Sequence, residues 1–199
     1  ARFMATAFVV ADGRHALTNA HAIPALVEAA DKEVLAIFVP GKKRGRKAEV
    51  VKVDRTHDLA LVRFDGAPLP AMRLASPGNV REGETYALTG FPIGAVLGLH
   101  PATHRAMVAA VSPVAIPQSN SKGLTASVVK RLSDPYPVYQ LDATAYPGNS
   151  GSPLYRIDDG TVVGVVNKVF VSGTKESALE KPSGISYASP IEHAHALLR

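Results

Sequence analysis

Ser150 lies at the centre of Pro147-Gly148-Asn149-Ser150-Gly151-Ser152-Pro153. Glycine on both sides permits positive-φ backbone and leaves room for another molecule to approach closely. A turn of this composition can aim the amides of Gly148 and Ser150 at one point, making a small anion-binding concavity. A hydroxyl above such a concavity is half of an acyl-transfer centre, nucleophile plus oxyanion hole. The same composition suits an ordinary surface turn. The chemical reading therefore requires a base and a carboxylate elsewhere in the chain.

The candidate base is His21. Phe8-Val9-Val10 and Ala16-Leu17-Thr18 are apolar, β-prone runs separated by Asp12-Gly13, a hairpin signal. His21 follows the second run at a strand-to-loop exit, where the competing role is that of a partly buried structural histidine. The candidate carboxylate is Asp58, directly before Leu59-Ala60-Leu61-Val62, which reads as a buried strand. A carboxylate there can accept an imidazole N–H, fix the tautomer and stabilise the cation formed during catalysis. Asp54 and Asp65 are competitors, each readable as a solvated turn residue.

The order His21, Asp58, Ser150 is that of the chymotrypsin type among unrelated hydrolase folds. Four boxes carry a more specific resemblance. Thr18-Asn19-Ala20-His21-Ala22 resembles the Thr-Ala-Ala-His box of chymotrypsin-like proteases, and His57-Asp58-Leu59-Ala60-Leu61-Val62 resembles their Asp-Leu-Ala box. Residues 141–154 resemble the nucleophile segment of the bacterial HtrA-like branch, and residues 184–190 its last strand.

The resemblance covers residues 5–190 and implies an all-β fold of two six-stranded antiparallel barrels of the trypsin-like type with a short C-terminal helix. It implies a serine endopeptidase with His21, Asp58 and Ser150 as the triad and Gly148, Asn149 and Ser150 around the oxyanion hole. Thr144, Ala145, Tyr146, Val169 and Gly184 are implied to line the substrate site, with no cofactor and no metal. Thr144 takes the place at the base of the primary pocket and is uncharged. The implied preference is therefore for small or medium apolar residues before the cleaved bond. Asn149 stands where animal trypsins carry an aspartate that pairs with a new N-terminal amine, so activity is expected without N-terminal cleavage. Two other readings remain open: a catalytically quiet scaffold of the same fold that binds peptides or protein partners, and an esterase or self-processing protease of narrow range.

The remaining sequence is consistent with that architecture. Sixteen glycines and fifteen prolines among short β-prone runs indicate a turn-rich all-β chain. The absence of cysteine excludes disulfides and thiol catalysis. No apolar run approaches the ~18 residues of a membrane span, and no signal segment is legible at Ala1. By resemblance to the disulfide-free HtrA-like branch, a periplasmic or secreted protein is expected, with no room in this sequence for the PDZ domain of full HtrA proteins.

A single peptidase domain is expected over 1–199, with an N-terminal barrel over about 1–70, a C-terminal barrel over about 80–188 and a helix over 189–199. Ser189 would cap that helix, with Pro190 at its first position. Residues 115–137 form a Pro-rich excursion in which Leu124, Val128 and Leu132 share a helical face. It reads either as a surface loop or as a rim of the substrate cleft.

The net charge is +5, and Lys42, Lys43, Arg44, Arg46 and Lys47 concentrate positive charge in one short segment. That segment reads as a solvated hairpin tip or as a weak contact for a polyanion. His193 and His195, two positions apart on a helix, face different ways and read as surface histidines rather than a metal pair.

Overall fold

The computed structural model describes residues 5–23, 34–78, 80–93, 98–113, 135–144, 146–167 and 185–199. The first sheet is built from β1 (Phe8–Val10), β2 (His15–Thr18), β3 (Leu35–Ile37), β4 (Arg46–Asp54) and β5 (Leu59–Phe64). All pairings are antiparallel, and the strand order is β1-β2-β5-β4-β3. The turn expected at Asp12-Gly13 joins β1 to β2, with positive φ at Ala11 and Gly13.

The second sheet contains β6 (Thr85–Gly90), β7 (Ala102–Pro113), β8 (Pro137–Asp142), β9 (Pro153–Tyr155), β10 (Val162–Val166) and β11 (Ile185–Pro190). It closes into a barrel in the order β10-β11-β8-β7-β6-β9. The C-terminal half is thus the expected six-stranded barrel. Among the described residues the N-terminal half is a five-stranded half-barrel with β1 and β3 at its edges.

Burial explains why β2 and β5 are apolar on both faces. Leu59 and Leu61 point into a large core shared with Leu88, Val108, Leu141, Leu154 and Val163 of the second barrel. Ala60, Val62 and Phe64 alternate onto a second cluster with Ala16, Ile23 and Ala48. Leu17 joins the first core while its neighbour Ala16 joins the second. Burying a Leu or Phe side chain stabilises by about 1.5–3 kcal/mol. Both strands are therefore anchored from two sides, and the candidate residues His21 and Asp58 follow or precede them directly.

The C-terminus departs from the sequence reading. The α-helix, α1, is confined to Glu192–His195. Ser189 and Pro190 belong to β11, where Ser189 pairs with Val165 and Pro190 with Gly164. The Ser-Pro start signal is local, and strand pairing with β10 overrides it. The connection between the halves, from β5 to β6, is tied to the first sheet by the Leu69 N–H donating to the Gly13 C=O at 2.8 Å and to the second by Leu74, which bridges Val162 of β10.

Candidate active site

β2 ends at Thr18, and Ala20–Ala22 form one 3₁₀ turn that carries His21. On the adjacent strand β5, Asp58 occupies the position just before Leu59 with φ +55, in the left-handed region. From this position its carboxylate reaches His21. The Asp58 carboxylate accepts the His21 backbone N–H on Oδ1 at 2.8 Å and faces the imidazole Nδ1 with Oδ2 at 2.6 Å. One carboxylate thus holds both the backbone and the ring of the histidine. The side chain of Asp58 is 14% exposed and that of His21 25%. Among the described residues His21 Nε2 has no partner, which leaves it available to a reacting group.

Ser150 lies on the loop between β8 and β9. The Asn149 N–H closes a turn onto the Tyr146 C=O at 2.9 Å, with Pro147 and Gly148 as its central residues. Gly148 has φ +101, as the third position of a type II turn requires. The Pro147 C=O accepts the Ile93 N–H at 2.7 Å. A peptide N–H points opposite its C=O, so the Gly148 N–H faces away from Ile93. Neither the Gly148 nor the Ser150 N–H has an acceptor among the described residues. The Asn149 N–H does, which removes it from the donors expected around an oxyanion.

Thr6, fully enclosed just before β1, fastens this loop to the first sheet. Its N–H donates to the Ser150 C=O at 2.9 Å and its hydroxyl to the Gly148 C=O at 2.7 Å. Its C=O accepts the Thr18 hydroxyl at 2.7 Å. Gly151, at φ +83, passes so close that a Cβ there would lie 2.1 Å from the Thr6 carbonyl oxygen and 2.6 Å from Thr18 Oγ1. Thr18 stands three residues before His21. The serine loop is therefore seated against the end of the strand that delivers the histidine.

Thr144 and Tyr146 are half-buried at the start of this loop. Ala145, Val169 and Gly184 lie outside the described residues, as does the 115–137 excursion except for Pro135, Tyr136 and Pro137. In the basic segment, Lys42, Lys43, Arg44 and Lys47 are exposed around the β3–β4 hairpin. Arg46 is engaged in the fold, donating to the Ala67 C=O and lying 5.6 Å from the Phe64 ring centroid. Among the described residues no group of three or more His, Cys, Asp or Glu side chains is arranged to hold a metal ion. Nor is any described helix long and apolar enough to cross a membrane.

A second histidine cluster escaped the sequence reading. Asp54 is not a free turn residue: its Oδ1 accepts the Thr56 and His57 N–H groups, and its Oδ2 faces His57 Nδ1 at 2.5 Å. Burial alone would raise the Asp54 pKa, but the bonds from the His57 ring and amide hold it below the usual carboxylate value. His193 of α1 is not a surface residue either. Its ring stacks on His57 with centroids 3.7 Å apart, and Tyr136 meets both rings edge-on. Burial, and then the neighbouring His57, push the His193 pKa down to about 4 against a weaker opposing pull from Asp54. Ser189 donates to the His57 C=O and Tyr136 to the Thr56 C=O. The turn leading into Asp58 is thus gripped by β11, α1 and the residue before β8.

A closed antiparallel barrel joined to a half-barrel sheet, with the histidine on one and the serine loop on the other, is the architecture of the two-barrel serine peptidases. A profile of the trypsin-like peptidase domain matches residues 5–165, and the chain belongs to that family. It is 29% identical over 195 residues to a probable periplasmic DegP-like serine endoprotease of Halomonas elongata, covering 97% of this chain and 34% of the relative. A protein of the same description from Pseudomonas putida strain W619 is 26% identical over 196 residues, covering 98% and 34%.

Among solved structures, the HtrA-type protease AlgW with a decapeptide superposes with TM-score 0.67 at 25% identity, covering 96% of this chain and 49% of that one. The active form of the Rv3671c protease from M. tuberculosis gives TM-score 0.69 at 19% identity, covering 98% and 71%, a likeness of fold. The chain spans about a third of the length of the curated relatives it matches.

Proposed function

We propose that the chain is a serine endopeptidase domain acting through an acyl-enzyme. The carrying observation is the Asp58 carboxylate that holds both the amide and the ring of His21, beside a serine loop seated on Thr6 and Thr18. Ser150 Oγ attacks a peptide carbonyl while His21 Nε2 takes its proton. Asp58 keeps the Nδ1–H tautomer and balances the imidazolium. The oxyanion accepts the unpaired N–H groups of Gly148 and Ser150, and losing one such donor typically raises the barrier by about 3–4 kcal/mol. His21 then gives its proton to the leaving amine, and water repeats the sequence on the ester.

Thr144, Ala145, Tyr146, Val169 and Gly184 are assigned to the substrate site, with small or medium apolar residues preferred before the cleaved bond. The decapeptide in the AlgW structure and the periplasmic description of the relatives support a peptide substrate and a periplasmic or secreted setting. A weak polyanion contact through the hairpin retains Lys42, Lys43, Arg44 and Lys47 as its cations, Arg46 being occupied. The test of the catalytic reading is labelling with a fluorophosphonate probe. The native protein is expected to label stoichiometrically and Ser150→Ala not at all. A folded native protein that does not label, or a Ser150→Ala variant that labels equally, overturns the proposal.

A further inference from the structure

Asn19 is fully buried two residues before His21, and its side chain crosses to the neighbouring strand. Its Nδ2 donates to the Asp58 C=O at 3.0 Å. Asp58 in turn holds the His21 amide and ring, so Asn19, His21 and Asp58 form a closed loop of one covalent and one hydrogen-bonded arm. From this we infer that Asn19 is a positioning residue for the catalytic aspartate. The assignment rests on Asp58 being the carboxylate of the proposed peptidase.

Two observations separate this role from simple packing. First, Asp58 has φ +55, a left-handed conformation uncommon for non-glycine residues, though aspartate adopts it more readily than most, and one that persists where contacts hold it. The left-handed turn rotates the Asp58 carbonyl toward Asn19, whose amide holds it there. Without that bond, relaxation of the Asp58 backbone swings the carboxylate off both His21 nitrogens together.

Second, the Oδ1 atom of the same amide is buried with no partner among the described residues. An unpaired buried acceptor is destabilising, and an aliphatic side chain of similar size avoids that cost. A position serving the core alone would be better filled by leucine. The donor end explains why an amide stands there.

The experiment is a double-mutant cycle between Asn19 and Asp58. Asn19→Leu and Asn19→Asp are each made in the native and the Asp58→Ala backgrounds. Fluorophosphonate labelling rate, kcat and KM on a peptide substrate, and the thermal midpoint are measured for every variant. Misplacing a catalytic group by about 1 Å can cost about 10²-fold in rate. Each Asn19 variant is therefore expected to lower kcat and the labelling rate by about that factor, with KM within about two-fold.

In the Asp58→Ala background the same substitutions are expected to change the labelling rate by less than about two-fold, because the group they position is gone. Equal losses in both backgrounds, or native-like rates in folded Asn19 variants, overturn the inference. If Asp58→Ala itself labels at the native rate, the peptidase reading fails first. Asn19→Asp keeps the side-chain shape and carries the test should Asn19→Leu fold poorly.

Discussion

Acidification should destabilise the protein through His193. Its ring lies face to face with His57 and edge-on to Tyr136, and its Nε2 is buried without a partner among the described residues. The groups facing it are His57, Asp54 and Tyr136, with Glu192 beside it on α1. Unfolded, it titrates near 6.5, and folded, at about 4. Between those values the unfolded chain binds more protons, so stability rises with pH across that window. The contribution is complete above about pH 6.5 and is lost as pH falls toward 4.

Taken at face value, the difference of about 2.5 pH units corresponds to a ceiling of about 3.4 kcal/mol. The ring is only about half buried and screening by water reduces this, so about 1–2 kcal/mol is expected. For a chain of this length that is a lowering of the thermal midpoint by about 2–8 °C. Asp54, whose pKa is lowered, acts below this window: its contribution is lost only as pH falls through its own folded value.

The assay is urea unfolding of the native protein and of His193→Phe at pH 7.0 and 4.5. Phenylalanine keeps the stacked ring and removes the titration. The native protein should lose about 1–2 kcal/mol more than the variant on acidification. Equal losses in the two proteins would refute the assignment, whatever the absolute stability of His193→Phe.

Two further outcomes follow from the site. Gly151→Ala places a methyl 2.1 Å from the Thr6 carbonyl oxygen at φ +83, so it should cost at least about 2–3 kcal/mol and abolish fluorophosphonate labelling. Calorimetry showing an unchanged midpoint with intact labelling contradicts the seating of the serine loop on Thr6. A peptide-library profile should show small or medium apolar residues before the cleaved bond, since Thr144 supplies no charge. Dominance by Arg or Lys there is the contrary result.

Strands β2, β5 and β10 are legible in the sequence because their apolar runs are continuous, and the two-core burial of β2 and β5 requires such runs. The order and flanks of His21, Asp58 and Ser150 are legible because local backbone chemistry sets them: a strand exit, a strand entry and a glycine-flanked turn. The ends of β7 are less so, since its apolar run covers only residues 106–111 while the strand runs over Ala102–Pro113. Its added residues alternate with exposed polar side chains and earn their pairing from β6 and β8.

Contacts between distant positions are not legible at all. Nothing near His57 announces His193, 136 residues later, and nothing near Ser150 announces Thr6. The left-handed φ of Asp58 belongs to the same class. There Asp58 is held by His21 and Asn19, contacts that its own segment does not announce.

Thr6 also makes the start of β1 a mechanical terminal of the serine loop. Force or torque applied to the backbone just before it arrives, within one residue, at the carbonyls of Gly148 and Ser150. A slack peptide attached upstream of Ala5 transmits no load. A rigid body fused there pulls on the peptide planes of the loop to which the oxyanion donors are assigned in the proposed mechanism. The same body joined after Arg199 loads α1, whose His193 stacks on His57 beside Asp58, and the exposed contact between Lys52 and the Arg199 carbonyl. Load from the front thus reaches the serine loop, and load from the back reaches the turn before Asp58.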